Sequence, residues 1–166
     1  MKLSIVVPCY NEEEMLKISI TKLLDLISEL ILSNEISNQS KICFVDDGST
    51  DKTWSILKQY STSPNISIVK LSRNYGHQNA LLAGLKSCQN KYDCYVSIDA
   101  DLQDDPQVIK AFISEFKNGR DVVYGVRNDR TTDSFFKKST AQAFYKMMKF
   151  LGVDIVYNHA DYRLIS

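Results

Sequence analysis

The stretch VSIDADLQDDP, from Val96 to Pro106, ends an apolar run in a cluster of acids. Carboxylates this close repel one another unless something neutralises them. Residues two apart at the end of a strand project to the same side. Asp99 and Asp101 could therefore share a hard divalent cation such as Mg²⁺ or Mn²⁺, which takes oxygen ligands and completes its shell with water and substrate phosphates. Gln103, again in step, could add a carbonyl oxygen. The plainer alternative is a solvated acidic turn, with Asp104 or Asp105 capping a helix ahead of Pro106.

A second acidic group, Asp46-Asp47-Gly48-Ser49, closes another apolar run. Gly48 permits a tight turn, and Ser49 or Asp51 can cap the helix that follows. That leaves Asp47 spare to accept hydrogen bonds from a nucleobase N–H or a ribose hydroxyl, as a strand-end acid does in dinucleotide-binding folds. Tyr10 could stack its ring on a base, or be an ordinary half-buried tyrosine. No G-x-G-x-x-G and no G-x-x-x-x-G-K-[ST] occurs, so the usual helix-terminal phosphate cradles are missing. A metal at Asp99 and Asp101 would replace them, with Arg127 or Arg130 as cationic help. His77 stands in NYGHQNA, where Gly76 marks a turn and a helix start; it reads as a cap or surface residue rather than a catalytic base.

The elements that must position these residues alternate along the chain. LSIVVP, KICFVDDG, NISIVKLS, YDCYVSIDAD and DVVYGVR read as strands. Asn11 is expected to cap a first helix with Glu12 to Glu14 in its first turn, running to about Leu32. Further helices are expected around KTWSILKQY, over GHQNALLAGLKSC, over QVIKAFISEFKNG with Gly119 as its C-cap, and over DSFFKKSTAQAFYKMMKFLG. The strands are apolar nearly throughout, the pattern of strands buried on both faces. The rhythm implies an α/β, doubly wound, mainly parallel sheet with helices on both faces. In such a sheet ligands bind beyond the carboxyl ends of the strands, and the acids, Tyr10 and Arg127 all fall there.

Composition narrows the function. With 20 Lys and Arg against 20 Asp and Glu, the net charge is zero, which gives no electrostatic case for nucleic acid. Cys9, Cys43, Cys88 and Cys94 form no C-x-x-C pair and read as buried free thiols in a reducing cytosol. No window is apolar enough to span a bilayer, because Lys17, Lys22, Asp25 and Glu29 interrupt the longest run at helical spacing. The length fits one domain with a real core.

The segments SIVVPCYNEEEML, VDDGSTDKT, LSRNYGHQNALLAGL, DADLQDDP, VVYGVRNDR and DYRLIS occur in the order found in family 2 glycosyltransferases. The chain most resembles the branch of polyprenyl- and dolichol-phosphate sugar transferases. That resemblance implies a glycosyltransferase A fold, a single Rossmann-like domain. It implies that Pro8, Tyr10, Glu12, Val45, Asp47, Asp99, Ala100 and Arg127 serve the nucleotide sugar. It implies that Asp99, Asp101 and Gln103 ligate Mg²⁺ or Mn²⁺, that Arg127 serves the diphosphate, and that Asp161 of DYRL lies near the acceptor beside Arg163. Asp161, Asp101 and Arg127 are the expected catalytic set.

The implied reaction moves a hexose from a UDP- or GDP-linked donor to a polyprenyl phosphate with inversion, at the cytoplasmic face of a membrane. Members of this branch continue past DYRL into membrane-proximal and transmembrane helices. Residues 1–166 are therefore expected to be one nucleotide-sugar-binding and catalytic domain, truncated at its C-terminal end and soluble as a piece. FFKKSTAQAFYKMMKFLG mixes aromatics with lysines, as a core helix or as a basic helix at a membrane surface. Arg73, Lys137 and Lys138 are further candidates to hold a second anionic group. Two alternatives stay open: transfer to a polysaccharide or protein acceptor, and a nucleotide-sugar-binding module without turnover.

Overall fold

A strand that is apolar on both sides must be covered on both sides, and β1 (Leu3–Cys9) is buried at every position. It lies inside a sheet of order β3-β2-β1-β4-β6-β5. The other strands are β2 (Lys41–Asp46), β3 (Ile66–Lys70), β4 (Cys94–Ser97), β5 (Val122–Val126) and β6 (His159–Ile165). β1 runs parallel to β2, with Cys9 opposite Asp46, and parallel to β4, with Val6 opposite Ser97. β3 is parallel to β2. In this computed structural model residues 1–126 and 159–166 are described, without the side chains of Val126 and of residues 159–161. The expected helix over DSFFKKSTAQAFYKMMKFLG lies outside the described residues, as do Arg127, Arg130, Lys137 and Lys138. The chain forms two compact units, residues 1–123 with 161–166, and residues 124–160. β1 to β4, the four helices and the site below belong to the first.

The helices are α1 (Leu16–Leu32), α2 (Thr53–Tyr60), α3 (His77–Cys88) and α4 (Val108–Lys117). α1 buries Leu16, Ile20, Leu23, Ile27 and Leu30, spaced three and four apart along one face. α3 covers the sheet face made by Val6, Cys43 and Val45. Gly84 permits that close approach, since a Cβ there would stand 2.5 Å from Val6 Cγ1 and 2.8 Å from Val45 Cγ2. The alternate residues Ile5, Val7, Ile42 and Phe44 are fully buried too, so the opposite face is also covered. α1 and α2 pack against β2, and α4 is tied to α1 by Lys110–Glu29 (2.5 Å) and to the turn after α1 by Lys117–Glu35. The mainly parallel α/β fold expected from the sequence is the fold observed, and the four cysteines are free and buried.

Two local expectations change, at Asn11 and at the end of the fourth strand, and the structure adds detail elsewhere. Asn11 does not cap α1, which starts at Leu16. Asn11 takes a left-handed φ of 55°, and its Oδ1 accepts the Thr50 N–H (2.9 Å). The free N–H groups of this turn are met by the β2–α2 loop instead: Asn11 N–H donates to Ser49 Oγ, Glu12 N–H to Thr53 Oγ1 and Glu13 N–H to Asp51 Oδ2. Ser49 is thereby spent on Asn11 rather than on α2, while Asp51 Oδ1 does accept the N–H of Thr53, the first residue of α2 (2.9 Å). The fourth strand ends at Ser97, before Asp99. DYRLI, read only as a motif, is part of β6, which runs antiparallel to β4 with Ser97 opposite Arg163. At α4, Asp105 Oδ1 accepts the Gln107 N–H (2.9 Å), and Gly119 (φ 86°) closes the helix as expected, its N–H donating to Phe116 O (2.9 Å).

Candidate nucleotide-sugar and cation site

Three loops at the carboxyl edge of β1, β2 and β4, with the start of α3, enclose a cleft of about 310 Å³. Pro8, Tyr10, Glu12, Asp47, Asp99, Ala100 and Asp101 line it, seven of the residues expected from the sequence. Cys9, Asn74, Gly76, His77 and Ala80 complete the wall. The volume is at the lower end of the range for small-molecule sites.

The Asp99–Asp101 turn is held by something other than strand alternation. Leu102 takes a φ of 51°, a conformation that costs a β-carbon-bearing residue about 1–2 kcal/mol. The turn it makes lets Asp101 Oδ1 accept the Gln103 N–H (3.1 Å). From the other side, the Ser19 hydroxyl on α1 lies 2.5 Å from Ala100 O, with the Met15 carbonyl 3.1 Å away. Ser19 is wholly buried on an apolar helix face. A buried hydroxyl needs a partner, and this one fixes the carbonyl between the two acids. Because the turn breaks the strand's two-residue repeat, Gln103 is not in step: it is exposed and absent from the cleft lining. Val45 likewise does not line the cleft. It is fully buried, because its side of β2 faces α3.

Asp47 is not spare. It is only 2% exposed, and each carboxylate oxygen accepts one backbone N–H, from Tyr75 (2.8 Å) and from Gly76 (2.9 Å). Each oxygen keeps a second lone pair, and Asp47 lines the cleft. Gly48 beside it (φ 68°) lets the β3–α3 loop close down, since a Cβ there would lie 2.3 Å from the Arg73 carbonyl carbon. His77, set aside from sequence alone, is the first residue of α3 and brings Nε2 to 3.7 Å from Asp99 Oδ1. The segment RNYGHQ was distinctive in the sequence, but only the fold brings it opposite β4. Arg163 lies on β6 opposite Ser97, the last residue of β4, and the Asp161 backbone stands two residues before it on the same strand.

The acids of this cleft work against one another. Burial, then the charges of Asp101, Asp51 and Asp99, hold the Glu12 carboxyl above its ordinary value of 4.5. A carboxyl raised in the folded state is neutral at no cost at low pH, and its penalty grows as pH climbs through the unfolded and then the folded value. Glu12→Gln is therefore expected to raise the melting temperature at pH 7, with the gain fading below the ordinary carboxyl range. Melting curves of the two proteins from pH 4 to 8 check this; a Gln variant less stable at pH 7 contradicts it. The same crowding suits a cation. Among the described residues no three His, Cys, Asp or Glu side chains converge into a closed metal cage. Two carboxylates opening on a cleft are the complement that Mg²⁺ and Mn²⁺ use when water and substrate phosphates supply the rest, so Asp99 and Asp101 fit such an ion.

The signature of the family described as "Glycosyl transferase family 2" matches residues 4–166. The chain is 48% identical over 165 residues to "Uncharacterized glycosyltransferase YkoT" of Bacillus subtilis (strain 168), covering 99% of this chain and 49% of that protein. It is 38% identical over 168 residues to "Prophage bactoprenol glucosyl transferase homolog" of Escherichia coli (strain K12), covering 52% of that protein. It thus spans about half the length of the curated relatives it matches. Among solved structures, S. aureus TarS 1-349 in complex with UDP-GlcNAc superposes with a TM-score of 0.52 at 27% identity, over 78% of this chain and 36% of that one. Matched along nearly its whole length, the chain belongs to glycosyl transferase family 2.

Proposed function

We propose that this chain is the donor-binding and catalytic part of an inverting transferase that moves a hexose from a UDP-linked donor to a polyprenyl phosphate. The observation that carries the proposal is the convergence of Tyr10, Glu12, Asp47, Asp99 and Asp101 on one cleft at the carboxyl edge of the sheet, in a chain of this family. A UDP donor is favoured over GDP by the TarS structure, whose ligand is UDP-GlcNAc. The lipid acceptor and glucose are favoured by the relatives named bactoprenol glucosyl transferase.

Tyr10, 43% exposed at the rim, offers a ring for the base to stack on. Asp47 offers its remaining lone pairs to the nucleoside. Asp99 and Asp101 are the ligands for Mg²⁺ or Mn²⁺, which when bound stabilises the charge of a leaving diphosphate. Arg127 is assigned to the diphosphate and Asp161 to the acceptor. A phosphate monoester has a second pKa of about 6 and is mostly dianionic at neutral pH, so the acceptor needs orientation more than a general base. Asp161 is then an orienting group. No helix among the described residues is long and apolar enough to cross a membrane; a membrane surface enters this reading through the lipid acceptor alone.

Incubation with radiolabelled UDP-glucose, Mn²⁺ and polyprenyl phosphate tests the proposal. Label passing into the lipid phase supports it. Label passing into an oligosaccharide acceptor, or UDP binding without transfer to any acceptor by this chain and by its full-length relatives, contradicts it.

A further inference from the structure

The wall of the cleft facing the two acids is placed by several separate restraints. Asp47 clamps the N–H groups of Tyr75 and Gly76. Gly48 lets the Arg73 backbone close on the turn below, and Gly84 seats α3 against Val6 and Val45. Together they fix where α3 begins, and the first helical side chain is His77. Its Nε2 lies 3.7 Å from Asp99 Oδ1, with both side chains about two-fifths exposed at the cleft. That separation is just beyond a hydrogen bond. Polar contacts in ligand-free sites are often long and tighten when the site fills.

A carboxylate that ligates a cation needs its own orientation fixed, and a donor on one oxygen does this while leaving the other to the ion. Ser19 performs the comparable task for the Ala100 backbone, and the side chain brought to Asp99 from α3 is His77. We propose that His77 is a positioning residue for Asp99: its Nε2–H, carried on α3 and aimed by the Asp47 clamp, holds one carboxylate oxygen so that the other is presented to the cation. The inference rests on the cation-site reading above.

UDP binding by titration calorimetry, with and without Mn²⁺, to the parent protein, His77→Ala and His77→Gln tests it. The amide nitrogen of Gln reaches about where Nε2 lies, so it can replace the donor but not the ring. His77→Ala is expected to weaken Mn²⁺-dependent UDP binding about tenfold, the scale of losing an outer-shell partner, and to weaken Mn²⁺-free binding far less. His77→Gln is expected to recover most of the loss. Three results overturn the proposal: unchanged Mn²⁺-dependent binding by His77→Ala, an equal loss with and without Mn²⁺, or a Gln variant as weak as Ala. If the parent protein binds UDP equally with and without Mn²⁺, the cation reading itself fails and the role of His77 falls with it. That failure is visible without any variant.

Discussion

Asp101→Ala is expected to lose Mn²⁺-dependent UDP binding by about 100-fold or more, since changes one shell further out already cost about 10- to 100-fold. The loss follows from the small number of ligands the chain supplies. A site of two carboxylates that borrows the rest of its shell from water and phosphate has no spare protein oxygen to substitute. The fold, in contrast, leans little on this side chain. Asp101 is half-buried beyond the end of β4, and its described hydrogen bond, from the Gln103 N–H at 3.1 Å, is a loop contact. A bond of that kind contributes about 1 kcal/mol, or roughly 2–4 °C in a domain of this size. Removing one acid also relieves the charge pressing on Glu12, which offsets part of that cost. Calorimetry and melting curves on the same preparation separate the two effects. A variant that folds and still gains UDP affinity from Mn²⁺ as the parent does would sink the assignment.

What the sequence revealed and what it hid follow the range of the interactions involved. β1, β2 and the buried stripe of α1 were legible because burial on both faces, or on one, is written in local periodicity. The edge of the sheet where Asp47, Asp99 and Asp101 meet was legible too, because parallel strands with short crossovers bring their carboxyl ends together. The errors arose where a distant partner outbid a local rule. Asn11 had the residue type of a cap but serves the β2–α2 loop, 39 positions away. Asp47 seemed spare because its two donors lie 28 and 29 positions downstream. Gln103 fell out of step because Leu102 adopts a left-handed conformation that a leucine does not advertise. Val45 stood next to the right edge but on the side facing α3. Ser19, a lone hydroxyl inside an apolar stripe, was the one hidden contributor with a local signal: a polar side chain at a buried helical position must find a partner, and its partner is the turn between the two acids.

Asp47→Ala is expected to be the most destabilising change at the cleft and to weaken nucleotide binding as well. The carboxylate is 2% exposed and satisfies two backbone donors of the β3–α3 loop, at 2.8 and 2.9 Å. Hydrogen bonds to a charged group contribute about 1.5–3 kcal/mol each, and a buried donor left without a partner carries its own desolvation cost. The Gly76 N–H keeps a second acceptor in Asn74 Oδ1 (2.8 Å), which softens one of the two losses. A net cost of about 3 kcal/mol is expected, which lowers the melting temperature by roughly 6–12 °C. Asn is a poor rescue at this position. Its carbonyl can serve one N–H, but its amide then turns a donor toward the other, so Asp47→Asn is expected to lie closer to Ala than to the parent. Asp47 also lines the cleft, where its remaining lone pairs are assigned to the nucleoside. UDP binding should therefore fall for Asp47→Ala with and without Mn²⁺, unlike Asp101→Ala, whose deficit appears only when the cation is present. Urea unfolding together with calorimetry in both conditions distinguishes the clamp from the ligand. A stable Asp47→Ala protein with parental UDP affinity would show that neither the loop nor the nucleoside depends on this carboxylate.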